Sequence, residues 1–196
     1  MHMDAIWRSW DESTLEHLSF DIKDTQIIAN SVITATSGVH PICISYHLIC
    51  DKEWRTREVS LLVSHEEQPR FLHLLSDGEG NWSYRDGDPI AELEGCIDID
   101  LSISPFTNIL PIRRLHFPIR PTNAMPVVYI DVPSLSLERG CQRYTHLKRN
   151  GPLVKYSFEN LYKGFTKEFW IDEHGLVIDY PGSFRRKVEV EVEVAE

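Results

Sequence analysis

From Cys96 to Ile103 the side chains alternate without a fault, and then the period breaks. Ile97, Ile99, Leu101 and Ile103 fall on one side; Cys96, Asp98, Asp100 and Ser102 fall on the other. Alternation at period two marks a half-buried strand. At Ser104-Pro105 the pattern turns helical. Serine suits an N-cap, and proline suits the first helical position, where its missing N–H costs nothing. Phe106, Ile109 and Leu110 recur at helical spacing, while Pro111 predicts a helix that is short, kinked or handed over to a tighter turn. Arg113 and Arg114 follow. The stretch from Leu93 to Phe117 thus reads as a strand with two carboxylates that runs into an apolar helical turn and exits on two guanidinium groups.

The rest of the chain gives strand and turn signals about ten residues apart. The segment IIANSVITAT is rich in β-branched residues and favours strand, as does the acidic WRSWDESTLEHLSFDI before it. From Cys43 onward ICISYHLICD, WRTREVSLLVS and PRFLHLLSDGEGNW follow one another as a meander, with a hairpin loop at Asp77 to Gly80. PVVYIDVPSLSLERG is strand-like, its prolines marking ends or edges. Further hairpins are predicted around Asn150-Gly151-Pro152 and from Asp172 to Gly175. The pattern of strands before an Asp/Gly turn occurs in both halves, but any antiparallel meander gives such echoes. Helical signal is otherwise scarce. The fold class expected is mainly β: a barrel, roll or sandwich whose interior is plugged by Phe106 to Leu110. Residues 1–187 are read as one domain, and 188–196, where valine and glutamate alternate, as an acidic C-terminal strand or tail whose charge protects an edge.

Composition excludes several function classes. The chain has 196 residues, enough for one good-sized core, and a formal net charge of −10. An acidic chain is poorly suited to the phosphate backbone of nucleic acid or to an anionic membrane surface. No apolar run is long enough for a transmembrane helix, so no integral membrane association is expected. MHMDAIWRSW shows neither a basic n-region nor an apolar h-region. Cys43, Cys50, Cys96 and Cys141 form no CxxC pair and read as buried free thiols, which favours a cytoplasmic location.

No catalytic constellation is assembled at readable spacing. The nine histidines show no HxH, HxxxH or HExxH, so no zinc or other metal site is expected. Ser102 and Ser104 lie outside any GxSxG elbow, and no glycine-rich phosphate loop occurs. Asp98 and Asp100 share a strand face. They suit either an acid/base pair, with a histidine such as His116 or His146, or a carboxylate ladder paired with arginine. Arg113-Arg114 and Arg185-Arg186 suit an anionic head group or neighbouring acids. Tyr144 and Tyr180, with Trp170, suit a sugar or acyl pocket or an ordinary core.

The segments GCIDIDLSISPFTNILPIRRL, ISYHLICDKEWRTREV, LSDGEGNW, QRYTHL and HGLVIDYPGSFRR together resemble the bacterial putative glycolipid-binding family, from about Trp7 to Arg186. The resemblance implies a spiral β-roll, one long antiparallel sheet wrapped around a single short helix, similar in fold to the bacterial lipoprotein carriers and found as a homodimer. Fold analogy is an associational warrant for function. The family supplies no catalytic residues and no cofactor.

Three functions fit these residues. The first is a non-enzymatic binder of a glycolipid or acyl-bearing small molecule. Thr107, Asn108, Arg113, Arg114, Tyr144 and Tyr180 would hold its head, with Asp98 and Asp100 orienting the arginines. The second is a hydrolase-like enzyme using Asp98 or Asp100 with a histidine. The third is a structural dimerisation module pairing through KVEVEVEV or an exposed sheet face.

Overall fold

The computed structural model describes residues 1–37, 40–65, 69–115 and 123–187. The first half is a meander of β1 (His2–Ser9), β2 (Thr14–Ile22), β3 (Gln26–Ser37), β4 (His40–Asp51), β5 (Thr56–His65), β6 (Arg70–Ser76) and β7 (Trp82–Tyr84). Next come β8 (Asp98–Leu101) and the helix α1 (Ile109–Leu115). The second half is β9 (Met125–Asp131), β10 (Ser136–Asn150), β11 (Leu153–Asn160), β12 (Phe165–Ile171), β13 (Val177–Tyr180) and β14 (Phe184–Lys187). All fourteen strands join one sheet in the order β7-β6-β5-β4-β3-β2-β1-β14-β13-β12-β11-β10-β9-β8. The sheet begins and ends in mid-sequence, and β1 pairs with β14 at its centre. It is a β-roll, with a single short α-helix among the described residues. The valine–glutamate alternation after Lys187 lies outside the described residues.

One expectation needs correcting. The sheet is not wholly antiparallel: β8 runs parallel to β9, with Asp98 opposite Val127 and Leu101 opposite Ile130. Parallel neighbours cannot be joined by a hairpin and need a crossover. The helical segment lies on that crossover. The central strand is also shorter than its alternation, and it is buried on both faces rather than one. Ile99 and Leu101 enter the apolar core, while Asp98 and Asp100 turn toward the crossover, where polar partners offset their burial.

The crossover forms as the serine and prolines suggest. Ser104 Oγ accepts the Phe106 N–H at 3.1 Å. A 3₁₀ turn over Phe106–Asn108 precedes α1, and Pro111 falls in the first turn of α1, where it breaks no helical hydrogen bond. Phe106, Ile109 and Leu110 are buried in the core lined by Trp7, Leu18, Phe20, Ile33, Ile44, Leu61 and Leu74, and the Phe106 ring lies 5.4 Å from that of Phe20. Ile112 packs into a second cluster with Tyr144, Tyr156, Phe158, Phe169 and Tyr180. The short helix is therefore shared by the two halves of the roll. Each of its buried large side chains contributes roughly 1.5–3 kcal/mol.

Three long-range contacts close the roll. Trp7 Nε1 donates to the Val177 carbonyl at 2.7 Å, and Trp82 Nε1 donates to the Cys96 carbonyl at 2.7 Å. Gly95 N–H donates to the Gly80 carbonyl at 2.9 Å. Gly80 has φ +101°, and a Cβ there would meet the Gly95 backbone at 2.7–3.0 Å. The DGEG hairpin loop is thus a close contact as well as a turn. The cysteines are free, but only Cys50 and Cys96 are buried: Cys43 is exposed, its side chain pointing outward from β4, and Cys141 is half-buried.

Candidate functional site

The two carboxylates of β8 part company. Asp98 is 1% exposed and bonded bidentately by Arg114, Nη2 to Oδ2 at 2.6 Å and Nε to Oδ1 at 3.2 Å. Burial pushes its carboxyl up, and the guanidinium pulls it back toward the ionised form. Among the described residues no arginine pairs with Asp100. It accepts from Gln142 Nε2 and from the Thr107 hydroxyl, and burial raises its pKa to about 6 against the pull of those bonds and of Lys163.

Asp100 stands in the wall of a cavity of about 220 Å³. Asn108 and Tyr180 line it too, with Ser102, Ser104, Asn160 and the aromatic rings of Tyr129, Phe158, Phe165 and Phe184. Asn108 is held at both ends of its amide: Oδ1 accepts from Tyr144 OH at 3.0 Å, and Nδ2 donates to the Pro105 carbonyl at 3.0 Å. One amide N–H remains for a ligand. Thr107 sits behind, its Oγ1 accepting the Leu101 N–H at 3.2 Å. Lys163 and Lys167 complete the lining. A larger groove of about 520 Å³ adjoins, sharing Ser102, Ser183 and Phe184 and reaching Trp10, which is 45% exposed.

Of the residues singled out in the sequence, Asp100, Asn108 and Tyr180 converge on this cavity. Thr107 and Tyr144 support it from behind. Arg113 and Arg114 do not line it. Arg113 donates to the Glu173 and His174 carbonyls, and Gly175 packs close against it and Ile109. Arg114 is taken up by Asp98. The lining includes no histidine: His146 stacks on Tyr156, and His116 lies outside the described residues. No group of three or more His, Cys, Asp or Glu able to hold a metal occurs among the described residues. No helix among them is long and apolar enough to cross a membrane.

Glu16 was missed in the sequence. It is buried on the core side of β2, and its Oε1 accepts from Ser31 at 2.9 Å and from Tyr46 and Ser104 at 2.8 Å each. Oε2 is buried without a partner. Burial raises the carboxyl to about 7 despite the three hydroxyls. The available signal was positional: Glu16 shares a strand face with Leu18 and Phe20.

The family profile described as "Putative glycolipid-binding" matches residues 4–186. A crystal structure of a DUF1089 family protein from Pseudomonas aeruginosa is similar. It is 37% identical, with a TM-score of 0.78, and the match covers 88% of this chain and 92% of that chain. No curated protein matches the chain.

Proposed function

This chain belongs to the Putative glycolipid-binding family, and from that premise we propose that it is a non-enzymatic binder of an amphiphile. A sugar head would fill the cavity between β8, the 3₁₀ turn and β13, and the apolar chain would run along the adjoining groove toward Trp10. One observation carries the reading: polar groups of fixed orientation, Asp100 and Asn108, share a cavity with the rings of Tyr129, Phe158, Phe165 and Phe184. Sugars present hydroxyls at their edges and C–H faces above and below. They are met by that combination of planar polar groups and aromatic surface. The volume of about 220 Å³ lies below the roughly 300–1,000 Å³ of pockets that bury drug-sized ligands, which favours a single ring over an oligosaccharide.

A hydrolase reading would need a second titratable group opposite Asp100. The other ionisable groups of the cavity are lysines and tyrosines, an arrangement suited to holding a ligand. Titration calorimetry with octyl glucoside below its micelle concentration tests the proposal. Wild-type protein is expected to bind. Asp100→Asn removes an ionic acceptor worth about 1.5–3 kcal/mol, a loss of roughly tenfold or more in affinity. Tyr180→Phe keeps the ring and tests its hydroxyl. No binding by folded wild-type protein would refute the proposal, and unchanged affinity in both variants would refute the site.

A further inference from the structure

Two ammonium groups on an acidic chain stand at one cavity, and among the described residues neither forms an ion pair. Lys163 Nζ lies 3.8 Å from the centroid of the Tyr129 ring. Lys167 Nζ lies 5.5 Å from the centroid of the Tyr180 ring and donates to Ser183 Oγ at 2.6 Å. Both lysines and all three partners belong to the cavity wall. Among the described residues no carboxylate comes within ion-pair distance of either lysine. By contrast Arg55, Arg114, Arg143, Lys155 and Arg186 each contact one directly. Aromatic faces and a hydroxyl, rather than acids, aim these two cations. A ring face attracts an ammonium without neutralising it, so the charge stays available to a ligand.

The opposite charge is near but differently placed. Asp100, held by Gln142 and Thr107, is the acid of the wall, while Asp131 and Glu138 act on Lys163 from a distance. Lys163 is exposed and Lys167 half-buried. A ligand that satisfies both ends has hydroxyl donors for Asp100 and an anionic group for the lysines.

We infer that the amphiphile's head is an anionic sugar, bearing a carboxylate or a phosphate, with its charge between Lys163 and Lys167 and its hydroxyls toward Asp100 and Asn108. This rests on the sugar-head reading above and narrows it. The chemistry shared by a uronic acid and a sugar phosphate is what the lysines recognise, as point charges rather than as a planar fork.

The experiment compares octyl glucoside, octyl glucuronide and octyl phosphate, each below its micelle concentration, by calorimetry on the full chain at low salt. Octyl glucuronide is expected to bind about tenfold more tightly than octyl glucoside. Added salt should shrink that advantage, because charge pairs at an open rim are screened. Lys163→Ala/Lys167→Ala should lose the advantage while still binding octyl glucoside, and Lys163→Arg/Lys167→Arg should regain most of it. Equal affinity for the two glycosides, or an advantage that survives the alanine pair, would overturn the inference and leave the sugar-head reading standing. Octyl phosphate binding as tightly as octyl glucuronide would overturn it too, since charge and chain would then suffice without a sugar. If no glycoside binds, both readings fall together.

Discussion

Glu16 makes the pH dependence of folding calculable. Its carboxyl ordinarily titrates near 4.5 and is raised to about 7 in the fold. The folded state therefore holds the proton more tightly than the unfolded chain does. The carboxyl does not weaken the fold below about pH 4.5, and the cost of ionising it grows as pH rises through that range and levels off above 7. Raising the carboxyl from 4.5 to about 7 gives a full cost of about 3 kcal/mol, at ~1.36 kcal/mol per tenfold change in proton affinity. Between pH 5 and pH 8 most of it, roughly 2–3 kcal/mol, should appear. Glu16→Gln removes the titration and keeps the shape. An amide oxygen can still accept from Ser31, Tyr46 and Ser104, and the amide N–H₂ replaces the protonated Oε2, which has no partner either. The variant's margin over wild type should grow by roughly 2–3 kcal/mol between pH 5 and pH 8. Asp100 also titrates upward, to about 6, but it is present in both proteins and cancels in their difference. Urea denaturation at a series of pH values, with m-values compared, is the assay. Parallel pH profiles for the two proteins would refute the reasoning, because a buried carboxyl that pays nothing to ionise is either hydrated or already ionised.

Removing Arg114 strands Asp98. Arg114→Met should cost about 3–5 kcal/mol in the same assay, and adding Asp98→Asn should restore much of it; a loss under about 1 kcal/mol would mean that the carboxylate finds another partner. The two facing glycines should respond unequally. Gly80→Ala forces a Cβ to 2.7 Å from Gly95 Cα at φ +101° and should cost at least about 3 kcal/mol. Gly95→Ala, whose nearest neighbour is Arg139 Nη2 at 3.7 Å, should pay only for its φ of +81°, about 1–2 kcal/mol. Equal losses would locate the strain elsewhere.

Much of the architecture was written in local pattern. Alternation and turn residues marked the meanders, and Ser104-Pro105 marked the change to helix because capping and proline chemistry act over three or four residues. The parallel pairing of β8 was not legible, because alternation fixes which way side chains point and says nothing of strand direction. The site was half legible. Asn108 and Asp100 stood out beside the helical turn, whereas Arg113 and Arg114 drew attention by charge and proved to be occupied by carbonyls and by Asp98. Lys163 and Lys167 gave no signal at all, because the rings beneath them come from other strands, Tyr129 from β9 and Tyr180 from β13.

The seam between β1 and β14 has a consequence for synthesis on the ribosome. The first described strand keeps one row of backbone groups unpaired until the last described strand is made. Each curl of the sheet can form by neighbour-to-neighbour zipping, but the two curls are stitched in mid-sheet only at the end. Joining β1 to β14 by a short linker and opening the chain between β7 and β8 would turn that final stitch into an ordinary hairpin. Such a permuted chain should close its sheet sooner, since the slow, long-range loop closure would have become local.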